Sequence, residues 1–209
     1  MFTPFHVEMT RLALEDRFSA RALERIIAAN LYQDRPRGQI GHDEYHFDNN
    51  AFEKSYAYLE EQRTLTISSL MVNDAPAAWS AFGRLTHTAQ DFYAHSNYVH
   101  LWLARQPEGA PPTPPEIDPV DPNVIQSDAL RSGRIYLFEL LSFIPGLKSF
   151  VLSRLPRDAH GWMNLDSPER GPNFEYAFHA GVKRTRIEFE QMMKGLPNEV
   201  CQLFLDKEI

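Results

Sequence analysis

From Phe82 to His100 the chain carries His87, Asp91 and His95 at intervals of four residues, inside an otherwise helix-periodic and largely apolar run. Residues four apart stack on one face of an α-helix, so this stretch folds as a helix presenting three ligand-type groups in a row. Phe82, Leu85, Phe92 and Val99 accompany them and turn that face inward. A carboxylate buried between two imidazoles needs either a metal or a closed hydrogen-bond network, and the spacing fits both. The ends of the row lie about 12 Å apart, too far for one ion to take all three groups. A metal site here is therefore multinuclear, with Asp91 placed to bridge two ions.

The rest of the chain reads as helix after helix. Met9–Leu14 is a short helical turn. Ser19 is placed to N-cap Ala20–Asn30, whose Ala22, Leu23, Ile26 and Ile27 form an apolar stripe. A break at 34–38 leads into a polar loop that runs to Asp48. Asn49 or Asn50 then caps a helix reaching about Met71, and the ligand-bearing helix runs from Ala77 to about Arg105. Residues 106–123 hold seven of the fifteen prolines and read as an extended loop, either a lid or a linker. Two apolar helical stretches are expected at 125–143 and 147–155, split by Pro145 and Gly146. A second polar loop, 156–173, precedes a helix over 174–194, and a short helix over 198–205 ends the pattern. No period-2 run of useful length and no internal repeat appears. The expected fold is a single all-α domain over 1–209.

Composition narrows the function classes. The net charge of −7 argues against a nucleic-acid partner, which calls for lysine and arginine to displace counterions from phosphates. The single cysteine, Cys201, rules out an intrachain disulfide. There is no basic segment leading into an apolar run at the start and no stretch long enough to span a membrane. The expectation is a cytoplasmic protein, or one exported without a cleaved signal.

Eight histidines fall at 6, 42, 46, 87, 95, 100, 160 and 179. Two loop patches add to the helical row: Tyr45 to Asn49, with Asp34 upstream, and His160 to Pro168. Both precede long helices, where ligand-bearing loops can gather over a bundle.

The run His87-Thr88-Ala89-Gln90-Asp91-Phe92-Tyr93-Ala94-His95-Ser96-Asn97-Tyr98-Val99 resembles the HTLQDFYAHSNWV signature of the Het-C family, named from fungal heterokaryon incompatibility. That family is related to the trinuclear zinc phospholipases C and to single-strand-specific zinc nucleases. Met9–Leu14, Ile26–Asn30 with Asp34, His46–Asn49 and His160–Pro168 are similar to further Het-C segments. The resemblance implies a multi-helix bundle of the zinc phospholipase C type, with two to three zinc ions between helices and loops. It implies Asp34, His46, His87 and Asp91 as ligands of a first zinc, His95 of a second, and His6 with bridging Asp91 of a third. The chain departs from the phospholipases and nucleases in three places. It starts Met1-Phe2 where they present a mature tryptophan, so a weaker or differently ligated third zinc is expected. Its interval from Asp91 to His95 is two residues shorter. The second zinc is completed by His160 and Asp166, six apart, where those enzymes use a pair one helical turn apart. Asp166 can equally cap local backbone donors. His42 and His100 read as surface residues or as partners of ligands.

Such a cluster suits phosphate-ester hydrolysis, with Asp91 at the metals and Asp48 as a candidate acid or base that can equally cap the following helix. The expected activity is a zinc-dependent phospholipase C that leaves diacylglycerol and a phosphorylated headgroup. The alternatives are a zinc single-strand nuclease, for which Phe92, Tyr93, Tyr98 and Trp102 would be stacking platforms, and a non-catalytic membrane- or partner-binding protein. The apolar segment around 135–152 reads as ordinary core, as a homo-oligomer interface, or as a cap for acyl chains leaning on a bilayer.

Overall fold

The computed structural model describes residues 1–39, 41–107, 109, 111–144 and 146–207. Among these residues it is all-helical, with two isolated β-bridges and no strand; the stretches expected as polar loops contain the one-turn helices α3 (Pro36–Gln39), α4 (Asp43–His46) and α10 (His160–Met163). No described helix is long and apolar enough to cross a membrane.

The centre is α6, Ala75–His95, packed against α2 (Ala20–Tyr32), α5 (Phe52–Met71) and α11 (Asn173–Met193). From Leu85 to Ser96 every residue of the run is buried, as expected of a helix covered on all sides. α1, Thr3–Leu14, lies on α11 and α2. The closest approach is at Gly83, where any Cβ would run into the carbonyl oxygen of Ile26 on α2. That clearance lets the end of α2 lie directly over the polar part of α6.

Local signals account for several boundaries. The Ser19 side chain accepts from the Ala22 amide and starts α2; the Asp74 side chain does the same for α6 from Ala77. α12 spans Asn198–Leu205, as the sequence indicates, and its Phe204 closes an aromatic cluster with Phe18, Phe82 and Phe189.

The expected single helix over 77–105 is two helices. Ser96 leaves the helical region (φ −107°, ψ 167°), and α7 begins anew at Tyr98–Ala104. The Ser96 hydroxyl donates to Phe92 O (2.5 Å) and accepts from the Tyr98 amide, which competes with continuation of the ladder. The freed His95 carbonyl takes the Gly133 amide (2.9 Å), and Asn97 bonds Arg131 through both backbone and side chain.

The expected helix over 125–143 does not form. Only Pro122–Ile125 (α8) is helical, and a 3-10 segment follows at Leu137–Phe143. Residues 131–135 instead spend their backbone groups on the site loops: Ser132 N on Asn50 Oδ1, Ile135 N on Asn49 Oδ1, and Arg134 N on Asp158 O, each at 2.8 Å. Hydropathy could not reveal this, since short apolar runs look alike in helix and extended chain. α9, Lys148–Arg154, falls within the second expected stretch. Pro145 lies outside the described residues, as do the side chains of Leu140, Ser142, Phe143 and Lys148.

The proline-rich segment is neither a free linker nor an open lid. Tyr93, Tyr98 and Tyr176 hydroxyls donate to the carbonyls of Pro119, Asp118 and Pro112 (2.6–2.7 Å), and Lys183 Nζ donates to Ile117 O. Ile117 is fully buried. Glu108 and Ala110 lie outside the described residues.

Candidate metal centre

Five pieces of chain converge on Asp91, which is fully buried on α6. Its Oδ1 meets His6 Nε2 of α1 at 3.2 Å and the Met1 α-amino group at 2.5 Å. Its Oδ2 meets His46 Nδ1 at 2.9 Å and His87 Nε2 at 3.1 Å. Asp34, in the turn after α2, approaches His87 Nε2 at 3.7 Å. His95, one turn along α6, has Nε2 3.2 Å from Asp166 Oδ1 and 3.9 Å from Asp91 Oδ1, and Nδ1 3.3 Å from Asp48 Oδ1. The His160 ring stacks edge-on against that of His95 and puts Nε2 4.0 Å from Asp48 Oδ1.

Every residue read from the sequence as a ligand or an acid/base group thus lies in one connected cluster. Seven of its residues form two sets able to hold a metal ion, His6, Asp34, His87 and Asp91, and Asp48, His95 and His160; His46 and Asp166 belong to neither set but contact Asp91 and His95. The row on α6 is divided between the two sets, as its length requires. His42 pairs with Glu44 and stacks on Tyr45, while His100 contacts Asn173 at the surface; neither belongs to the cluster.

Short local structures aim the loop groups. His46 ends the one-turn helix α4, Asp43–His46, and Phe47 then adopts a left-handed conformation (φ 57°). That is a costly place for a bulky residue. Burial against Phe52, Tyr56 and Phe92 holds it there. The turn directs His46 O onto His95 Nδ1 (2.9 Å). Asn49 and Asn50 are also left-handed, and their side chains bond residues 132 and 135 instead of capping α5. Gly133 lets this strap pass His160, because a Cβ there would lie 2.6 Å from His160 Cα. Asp166 turns its carboxylate onto His95 and the Met1 amine, while its own carbonyl accepts the Phe2 amide. Asp48 makes no side-chain cap for α5; it is buried against His95 and His160.

The Gln90 and Asn30 amides behind the imidazoles fix which ring nitrogens of His6 and His87 carry protons. The Thr185 hydroxyl donates to Gly181 O, so it can only accept from Gln90 Nε2 (3.0 Å). That orients the Gln90 amide and points Oε1 at His6 Nδ1 (2.7 Å), which donates to it. Likewise Thr86 donates to Gly83 O and accepts from Asn30 Nδ2, leaving Asn30 Oδ1 toward His87 Nδ1 (3.4 Å). His6 therefore turns its Nε2 lone pair onto Asp91 Oδ1, while His87 Nε2 faces both Asp91 Oδ2 and His46 Nδ1, each at 3.1 Å. Lone pair against lone pair in a buried site calls for a cation between them.

Other atoms point the same way. His6 Nε2, Asp34 Oδ2, His46 Nε2 and Asp48 Oδ1 are buried without a hydrogen-bond partner. Orphaned groups at this density, drawn from imidazole and carboxylate, are the donor chemistry of a zinc-type site. The residues present fit a metal cluster.

The electrostatics of the polypeptide are consistent with this. Burial opposes ionisation of Asp91, but the charged Met1 amine and His95 outweigh it and hold the carboxyl well below its usual range. Burial also opposes charge on His95, where Asp91 and Asp48 prevail and raise it well above 6.5. The Met1 amine is raised to about 11 because Asp91 and Asp166 overcome its burial. For His87 burial wins, and it is pushed down to about 4.

The His87 shift has a measurable consequence. Below pH 6.5 the unfolded chain takes a proton at His87 that the folded chain refuses, so stability is lost as pH falls from 6.5 to about 4. His95, shifted the other way, loses its contribution only as pH rises above 6.5. With divalent ions chelated, denaturant unfolding should show a fall of about 3 kcal/mol across the lower window, flattened in His87→Gln. A wild-type stability that stays level from pH 6.5 to 4 would contradict the assignment.

Sequence reasoning missed Gln90, Asn30 and Glu139. The first two were visible as amides set in apolar helical stripes. Glu139 was hidden in the segment read as helix; its Oε1 lies 3.4 Å from His160 Nδ1 and its Oε2 is buried without a partner.

A family described as the VWA7 N-terminal domain matches residues 6–106, just under half of the chain. The matched span runs from His6 to just past α7 and includes Asp34, His46, Asp48, His87, Asp91 and His95, while His160 and Asp166 lie beyond it. No curated protein matches the chain, and no solved structure does.

Proposed function

We propose that this chain is a zinc-dependent phosphodiester hydrolase of the phospholipase C type. The observation that carries the reading is one cluster in which five imidazoles (His6, His46, His87, His95, His160) meet four carboxylates (Asp34, Asp48, Asp91, Asp166), with the His6 Nε2 lone pair facing an Asp91 oxygen. The likeness of residues 87–99 to the Het-C signature supports the same class.

Asp34, His46, His87 and Asp91 would hold a first zinc, and His95 with Asp166 and His160 a second. His6 with the second oxygen of Asp91 would hold a third. Bound zinc supplies Lewis acidity and charge neutralisation at a phosphate ester, which suits a substrate already anionic. The polypeptide does the rest. Gln90 and Asn30 hold the His6 and His87 rings in register. Burial of Asp91, exposed nowhere, excludes water from the shared carboxylate. Burial resists charge on Asp48, but His95 and His160 keep it ionised, the state of a proton acceptor.

The nuclease alternative has less support. Phe92, Tyr93, Tyr98 and Trp102 are all buried, so none offers a base-stacking face.

The test is hydrolysis of a soluble short-chain phosphatidylcholine by zinc-loaded protein. Release of diacylglycerol with phosphocholine is the expected outcome. Turnover of single-stranded nucleic acid alone would move the protein to the nuclease class, and no turnover of either would remove the enzyme reading.

A further inference from the structure

Residues 131–157 carry five cations, Arg131, Arg134, Lys148, Arg154 and Arg157, against one anion, Glu139, in a chain whose net charge is −7. Glu139 is buried beside His160, and Asp158, the next residue after the segment, pairs with Arg134 at 3.7 Å, which leaves Arg131, Arg154 and Arg157 as the cations exposed on the outer face among the described side chains. The same segment exposes Leu137, Phe138, Leu141, Ile144, Leu147 and Phe150; Leu137 is 83% exposed and Phe150 52%. A second group, Leu65, Ile67, Met71 and Val72 at the end of α5, is exposed away from the metal centre.

The segment has its own small core. Val151, Leu155 and Ala159 are buried together with Tyr136, Leu152 and Trp162 against them, apart from the main core. α9 therefore buries one side and shows Phe150 and Leu147 on the other, with the Arg154 guanidinium 4.9 Å over the Phe150 ring. Arg157 covers Trp162 in the same way at 4.5 Å. Apolar side chains ringed by arginines that lie along aromatic faces match the boundary between lipid headgroups and acyl chains.

The patch is also tied to the metal centre. Asn49 N donates to Gly133 O and His160 N to Arg134 O, both at 2.8 Å, and Glu139 faces His160 at 3.4 Å. Whatever docks on the patch is held at the rim of the cluster.

We propose that the outer face of 131–157 docks the protein on an anionic phospholipid bilayer. Charge decides between the occupants. A second copy of this chain would set basic face against basic face, whereas a leaflet rich in anionic headgroups pairs with the arginines and accepts the apolar side chains beneath them. No described helix can cross the membrane, so the contact is peripheral. The proposal deepens the phosphodiesterase reading, on which it rests for the substrate's identity, by naming where the bilayer meets the protein.

The experiment is co-sedimentation of the full chain with vesicles of phosphatidylcholine alone and of phosphatidylcholine with phosphatidylserine, with chelator present so that no lipid is consumed. The expected result is binding about tenfold tighter to the anionic vesicles and weakened by salt. The double variant Leu137→Ser/Phe150→Ser should lose binding by about 10–100-fold. Arg154→Glu/Arg157→Glu should lose the anionic preference. Both variants should hydrolyse the soluble short-chain substrate as wild type does. Equal binding by the serine variant, or no binding to either vesicle, would overturn the proposal. Self-association that is abolished by Phe150→Ser would overturn it too, in favour of an interface between copies. Vesicle binding without hydrolysis of the soluble substrate would instead sink the phosphodiesterase reading and leave the docking surface standing.

Discussion

Asp91→Asn is expected to lose most of the zinc and to lower phosphodiester hydrolysis by about a thousandfold or more, since it removes the carboxylate whose two oxygens face His6 on one side and His46 and His87 on the other. The amide has nearly the same shape and keeps one acceptor oxygen, so the helices persist. It cannot balance the Met1 amine and His95, however, and an uncompensated buried charge costs about 3–5 kcal/mol. The variant should therefore unfold earlier in denaturant while keeping its far-ultraviolet helical signal. Asp34→Asn is the companion variant, because Asp34 is partly exposed and touches only His87 within the cluster. It should weaken zinc with little loss of stability. Full turnover in a zinc-loaded Asp91→Asn protein would remove Asp91 from the chemistry.

The second large effect is expected at a residue that touches no substrate. Gln90→Met keeps the volume but deletes hydrogen bonds to His6, Asn30, Thr10 and Thr185. His6 is then free to place its proton on either nitrogen, and zinc affinity should fall by about 10–100-fold. Gln33→Met is the control. Gln33 is also a buried amide, bonded to Thr88 and Tyr58, but touches no imidazole of the cluster. Both variants should lose stability of about 1–3 kcal/mol for buried partners left unsatisfied. Only Gln90→Met should move zinc affinity and the ¹⁵N shifts that report the His6 tautomer. Equal effects of the two on zinc would reduce Gln90 to a packing role.

Much of the site was legible because helical spacing carries it. His87, Asp91 and His95 could face one way only on a helix, and burial of that face followed from Phe82, Leu85 and Phe92. Asp34, His46, His160 and Asp166 were visible as polar loop patches ahead of long helices, but their roles as ligands, and His6 altogether, entered through the family likeness, since nothing in spacing alone ties residues so far apart in sequence. The course of 126–136 could not be read. Its backbone is fixed by Asn49, Asn50 and Asp158, which are distant in sequence, and hydropathy is silent about such pairings. The break at Ser96 was similarly hidden, because a serine side chain bonding back four residues leaves the apolar pattern intact. Gln90 and Asn30 stand out in the sequence as amides in apolar stripes, but which way each points is set by threonine hydroxyls that only the fold brings beside them.

Every role proposed for the cluster's residues requires the cluster to hold metal. Elemental analysis of protein purified without chelator tests this most directly. It should find about two to three zinc ions per chain, reduced in Asp91→Asn. Protein that contains no zinc and takes up none when zinc is added would contradict it, and His87, Asp91 and His95 would then be a hydrogen-bonded core.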